Sequence, residues 1–351
     1  MAPRPGIAPR PPGPAHALRR AGLEPRLVGM TAALALIALC FDRASDGAFL
    51  TPRNLYNLAV QTSATGIMAC GMVLVIVLRH VDLSVGSLLG LTGMAIAVLQ
   101  AEVLPGSSAA VWPAALVAGL ALGAAVGAVQ GWWIAWRGLP AFVVTLAGLM
   151  IFRGAAYLLT DGRTVAPLAP GFERLGGGID GAIGVGASQA VGAAVVGGAL
   201  VIGLRRRRQR ARHGVEVAPV WADGLRFSAV ALAVLGLVAV ANAHTLPRSD
   251  VGRGLPLPVL VLGVVAAAVH GLARGTRFGR HVYAIGGSPE AAARAGIDVR
   301  RVTLGVFVLM GGLAAVAGAL TAARLGAGTS SMGTLAELAV IAAAVIGGTS
   351  L

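Results

Sequence analysis

Few side chains in this sequence could do chemistry, and they fall into a handful of groups. The first is the polar stretch Arg274 to Arg301, set between two apolar segments. Within it, Ser288, Pro289 and Glu290 make a helix start. The Ser hydroxyl can accept from a free backbone N–H, Pro suits the first helical position, and a carboxylate favours the positive end of the helix. Ala291, Ala292, Ala293 and Arg294 propagate the helix, and Gly296 can close it in the left-handed conformation. About two turns result, roughly 10 Å at 1.5 Å per residue. So short a helix is unstable alone in water and needs something to dock against. The second group is R-H-V-D-L-S-V-G-S, Arg79 to Ser87, which puts Asp82, Ser84 and Ser87 in a polar break between apolar runs. Asp82 reads first as a helix cap. The other reading is a polar break at membrane depth, tolerated where it is buried in protein or lines a cavity. The third is Arg153, accompanied by Thr145 in one long apolar run. An Arg facing lipid costs ~3 kcal/mol on insertion scales, so Arg153 must face a partner or water. Either it forms a buried structural pair, or it contacts a polar substrate or a gating carboxylate. The last group, G-A-G-T-S-S-M-G from Gly326 to Gly333, has a G-x-S look that hints at a serine hydrolase. His244 and His270 lie near the ends of apolar segments, so no His suits such a nucleophile.

Composition sets the class. The 351 residues are 56% hydrophobic and 12% charged, with a mean hydropathy of +0.81. Several apolar runs exceed about 18 residues. The expected fold is all-α: a polytopic membrane helical bundle of about ten spans with short loops, and no large soluble domain. The net charge is +14 and every one of the 28 basic residues is Arg. The arginines cluster where cytoplasmic loops would lie, which favours a lipid bilayer and not nucleic acid as the partner. Without Lys there is no Walker A phosphate loop, so any ATPase must be another polypeptide. Cys40 and Cys70 lie in apolar segments without metal-ligand spacing and read as buried thiols. No metal, cofactor or catalytic site is read.

These groups need elements to hold them. Residues 1–26 read as a disordered, Arg-bearing cytoplasmic tail, followed by a transmembrane domain over 27–351. Spans are expected over 27–41, 56–78, 83–104, 111–133, within 138–165, 189–204, 225–243, 257–272, 302–321 and from 335 on. On the fourth, Gly119, Gly123, Gly127 and Gly131 recur every four residues, a helix-packing ridge that admits a close neighbour. Arg205 to Arg212, R-R-R-R-Q-R-A-R, holds its end of the sixth span inside. The loop near Arg248 and Asp250 falls on the outer side of the membrane, as does 161–187, and Gly326 to Gly333 reads as an outside turn.

Several of these runs resemble one family. Glu290-Ala291-Ala292 followed by Gly296 is similar to the E-A-A-x-x-x-G coupling loop of permease subunits of ABC importers. The longer run Phe278 to Ile297 resembles the monosaccharide branch. V-D-L-S-V-G-S is similar to the I-D-L-S-V-G-S of sugar permeases, with Arg79 and His80 where Gly-Gly often precedes it. That departure puts close backbone approach at this point in question. Gly138 to Val165 resembles a run containing P-x-F-I-V-T-L and R-G, and the residues around His213 to Asp223 look more xylose-type than ribose-type. The resemblance implies the membrane subunit of a monosaccharide importer in the bacterial inner membrane, its N-terminus cytoplasmic. It implies three partners: an ABC ATPase subunit, a periplasmic sugar-binding protein and a second permease copy forming a homodimer. ATPase coupling would fall to Ser288, Pro289, Glu290, Ala291, Ala292 and Gly296. The translocation path would pass Asp82, Ser84, Ser87, Thr145 and Arg153. A permease of the branched-chain amino acid type is the rival reading. An ion-coupled transporter would need mid-membrane acids, whereas Asp and Glu read as lying near span ends or in loops. In the family G-G-T-S-L is followed by further helices, so the chain ending at Leu351 is expected to be C-terminally truncated.

Overall fold

The computed structural model describes residues 25–104, 110–214, 219–246 and 249–349. The expected tail lies outside them up to residue 24, and so does Arg248. Among the described residues every regular element is helical. In order they are α1 (Pro25–Ala44), α2 (Pro52–Val77), α3 (Val85–Val98, extended by a π-helical turn Leu99–Val103), α4 (Val111–Ala135), α5 (Ala141–Leu158), the short α6 (Pro170–Glu173), α7 (Val185–Arg212), α8 (Val220–Ala243), α9 (Leu257–Gly275), α10 (Arg277–Gly287), α11 (Pro289–Arg294), α12 (Val299–Leu325) and α13 (Ala336–Ile346). All ten apolar segments expected from the sequence are helices. Eight are long and apolar enough to cross a membrane; α1 and the 11-residue α13 are not among them. The segment expected to begin a tenth span is thus a helix too short to cross, about 16 Å at 1.5 Å per residue.

The helices fall into two compact units. One comprises Met1–Tyr56 and Gly184–Gly254. Here α7 and α8 pair closely enough for a Cβ on Gly192 to stand 2.9 Å from Val238. The arginine run continues α7 as helix, and Arg207 forms an ion pair with Asp223 in the first turn of α8. The Tyr56 ring lies 4.8 Å from the His244 ring and 4.8 Å from the Arg253 guanidinium. Cys40 is exposed and Cys70, in the other unit, half-buried, so neither is the buried thiol expected.

The second unit, Asn57–Ile183 and Leu255–Leu351, carries the core. Helix α3 is apolar on every side and buries nearly every residue from Val85 to Ala97, as a helix hydrophobic all round should. Helix α4 brings its glycine ridge against α12: Gly123 and Gly311 stand back to back, and Gly127 faces the Phe307 carbonyl. A Cβ on Gly131 would meet the Leu304 Cα at 3.0 Å, while Gly119 faces Ile96 of α3. Helix α5 runs alongside α3, with Gly148 at Ser84 and Arg153 at Gly90. Its other face exposes Phe142, Leu146, Met150 and Ile151. In water such a face would aggregate; a bilayer covers it.

After α12 the chain does something the sequence reading did not anticipate. Gly326 to Gly333 is turn, as read, but it does not project from the end of the helix. Residues 328–333 fold back along α3, with Gly328 against Met94 and Ala97, Met332 against Gly90 and Gly93, and Gly333 against Leu89 and Gly86. The distance covered along α3 is roughly 12 Å, from eight residues at 1.5 Å each. The physical reason lies on α3 itself. Gly86, Gly90 and Gly93 share one face and leave a groove without side chains, wide enough to take the backbone of a turn.

Candidate functional site

Three features of the second unit bear on function, and each is built by a different local device. The first is the hairpin from Thr276 to Ile297. The Thr276 side chain caps α10 by accepting from the Gly279 N–H at 3.2 Å. Phe278, Val282 and Ile285 then form an apolar stripe at helical spacing, with Val282 and Ile285 buried and the Phe278 ring lying on Gly305 of α12. Sequence reasoning missed α10, because Arg277, Arg280 and His281 make the stretch look like polar loop. The stripe was the available signal. At the next joint Ser288 caps α11: its Oγ accepts from Ala291 N–H at 3.2 Å and donates to Glu290 Oε2 at 3.1 Å. Pro289 occupies the first helical position, and Glu290 stands in the first turn. Gly296 takes φ +83°. Its N–H donates to the Ala293 carbonyl and that of Ile297 to the Ala292 carbonyl, closing α11. Only Ala292 of this helix is buried. The Glu290 carboxyl is held below the usual carboxylate range, first by its own backbone N–H, then by the Ser288 hydroxyl, with Arg79 adding a smaller pull.

The second feature is the polar break below α3. Asp82 Oδ1 accepts from both the N–H and the hydroxyl of Ser84, at 2.8 and 2.7 Å. Ser84 Oγ in turn accepts from Gln130 Nε2 at 2.9 Å, and Ser87 donates to the Ser84 carbonyl. Thr145 donates to the Val81 carbonyl at 3.3 Å. Asp82, Ser84, Ser87, Thr145 and Gln130 are all buried. The structure therefore joins Asp82, Ser84 and Ser87 in one network, sets Thr145 beside it on the Val81 carbonyl, and adds Gln130, a lone amide in an apolar helix that sequence reasoning passed over. Burial pushes the Asp82 carboxyl up, against the two Ser84 hydrogen bonds that pull it down. Beside the break, a cavity of about 520 Å³ is lined by Arg79, His80, Pro140, Phe142, Arg300 and Thr303 among others.

Arg153 is the third feature and sits apart from that network. Its Nη1 donates to the Ser330 and Met332 carbonyls at 2.9 and 2.8 Å. The partner is thus backbone of the folded-back turn, not a carboxylate. Irregular backbone inside a membrane must have its polar groups satisfied by protein. Arg153 does this for two carbonyls, and the mutual hydrogen bonds of Val165 and Gly328 do it higher up. Where the turn meets α13, Glu337 is buried against Gly86. It stands in the first turn of that helix, near a span end as read, but inside the packing. Gly119, Gly123, Gly127 and Gly131 lie elsewhere, at the α4 contacts described above.

The model of a family described as "Branched-chain amino acid transport system / permease component" matches residues 54–351. This chain belongs to that family. As a permease, it is 42% identical over 332 residues to the xylose transport system permease protein of Haemophilus influenzae, covering 92% of this chain and 82% of the relative. The Escherichia coli K12 xylose transport system permease protein is 41% identical over 92% of this chain and 78% of its own. The ribose import permease protein of the same organism is 33% identical, over 92% and 77%. No solved structure matches the chain. The permease is accordingly a multi-pass membrane protein, and its relatives are named as transport subunits.

Proposed function

We propose that this permease is the membrane-spanning subunit of an ABC importer for a pentose, xylose in the first instance. The observation that carries the substrate is the identity to xylose permeases, 41–42% against 33% for the ribose permease, over the same 92% of the chain. A separate ATPase chain supplies the energy and seats on the α11 hairpin through Ser288, Pro289, Glu290, Ala291, Ala292 and Gly296. The exposed, twice-capped α11 supports that role. A periplasmic sugar-binding protein delivers the sugar, and two copies of the permease work as a pair in the bacterial inner membrane. The N-terminus of each is cytoplasmic. Asp82, Ser84, Ser87, Thr145 and Arg153 border the path, the first three as a closed hydrogen-bonded gate with Thr145 beside it. Hydroxyl, amide and carboxylate groups of this kind can exchange their mutual bonds for those of a sugar without leaving an unpaired polar group.

The test is reconstitution of the permease in liposomes with its ATPase and binding protein, measuring uptake of labelled xylose, ribose and leucine. Xylose uptake that depends on ATP and exceeds ribose uptake supports the reading. Preferential leucine uptake would establish instead the amino acid class that the family description prints. Cysteine labelling from either side checks the topology: positions near 207 and 290 should react from the cytoplasm, and those near 170 and 250 from outside.

A further inference from the structure

We propose that Arg79 is a positioning residue that ties the coupling hairpin to the Asp82 gate, through its guanidinium on the last two carbonyls of α10. The proposal rests on the reading of this chain as an ATP-driven permease. Arg79 stands at the end of α2 with φ +62°. The Arg79 N–H donates to the Ile76 carbonyl and that of His80 to the Val75 carbonyl, so Arg79 occupies the left-handed closing position of the helix. Glycine takes that conformation without cost, whereas an L side chain there is strained. An arginine at this position therefore needs another reason. Its Nε donates to Gly286 O at 2.9 Å and its Nη2 to Gly287 O at 2.7 Å, which are charge-assisted bonds to the negative end of α10. Gly286 also lies directly on the Val77 carbonyl, with no room for a Cβ. The two backbones meet here, and Gly287 leads straight into the Ser288 cap of α11.

On its other side Arg79 is three residues from Asp82. The connecting Val81 offers its carbonyl to Thr145, and Asp82 holds Ser84. A push on α11 thus has a short route: the Gly287 carbonyl to the Arg79 guanidinium by hydrogen bond, Arg79 to Asp82 along three residues of main chain, then the hydrogen-bonded Asp82–Ser84–Gln130 network. A guanidinium that merely closed α10 would stabilise the hairpin but have no part in coupling, and the two roles separate experimentally.

Arg79→Gly removes the clamp and suits the φ, so the fold should survive; Arg79→Lys keeps charge but loses the two-pronged geometry. Amide exchange of residues 284–291 is measured for the permease alone in lipid nanodiscs. Xylose-stimulated and basal ATP hydrolysis are measured for the complex with its ATPase and binding protein. The expected result for Arg79→Gly is exchange at least tenfold faster over 284–291, an unchanged unfolding temperature and unchanged basal hydrolysis. Xylose stimulation should fall at least fivefold, and Arg79→Lys should recover only part of it. Unchanged exchange, or faster exchange with full stimulation, overturns the proposal. If the unaltered complex takes up no xylose, the functional reading fails, and the exchange comparison then decides the clamp by itself.

Discussion

The α4 ridge and the α10–α11 hairpin are held together by opposite means. At the ridge, backbone meets backbone: Gly123 on Gly311 and Gly127 on the Phe307 carbonyl, with no side chain between them. Helix association in lipid gains nothing from excluding water, so close van der Waals packing has to supply it. The hairpin instead is finished locally. Thr276, Ser288 and Asp298 each cap a helix through a side-chain oxygen, and Gly296 closes α11. Most of α11 faces outward. The difference teaches that the scaffold is locked by contacts with no side-chain atoms to give way, whereas α11 keeps its shape through its own caps, with Ala292 its one buried residue. A short helix with internal caps is suited to be moved.

Substitutions should separate the two regions in order of severity. Gly127→Leu forces a branched side chain into the Phe307 backbone, and overpacking of this kind costs about 3 kcal/mol or more. The variant should fail to accumulate in membranes, as read by immunoblot of membrane fractions; normal accumulation and melting would show that α4 and α12 are not locked. Arg153→Met leaves the Ser330 and Met332 carbonyls without donors, worth about 2 kcal/mol. A lower unfolding temperature and faster amide exchange over 328–335 are expected, and Arg153→Lys should recover part of both. Gly296→Val puts a β-branched residue at φ +83°, straining α11 by about 1–2 kcal/mol. Here the global unfolding temperature should stay put while sugar-stimulated ATP hydrolysis of the complex collapses. A fall in both together would mean that hairpin and scaffold are one cooperative body. Ser288→Ala removes a single cap, about 1 kcal/mol. It should show as faster exchange at Ala291 alone, with a modest loss of stimulation.

How much of this was legible in the sequence depended on how far apart the partners lay. The cap at Ser288, the closure at Gly296 and the span-length apolar runs are local signals, and each produced its element. The stripe Phe278, Val282, Ile285 was equally local but was masked by the arginines beside it. The fold-back of 328–333 could not be read from G-A-G-T-S-S-M-G. Its cause is the glycine face of α3, which only tertiary packing sets beside it. Arg153 was correctly required to have a partner, but the partner is a pair of carbonyls, and a sequence displays only side chains. Arg79 was noted as a departure from Gly-Gly. That close approach occurs beside it, between Val77 and Gly286, is visible only once both helices are placed.

The α3 groove constrains how this protein can change over generations. Alanine is the smallest step away from glycine, yet at 86, 90 and 93 the added methyl lands on Gly333 O, Met332 O at 2.6 Å, or Gly318 O at 3.0 Å and Met332 Cε at 2.9 Å. No single-residue neighbour of these glycines is free of a clash. Drift in this part of the permease must therefore begin on the facing turn, where the Thr329 and Ser331 hydroxyls bond each other and the Ser331 carbonyl accepts from the Thr334 hydroxyl. Divergence between descendants of this chain should accumulate at 329 and 331 long before it touches the helix they lie against.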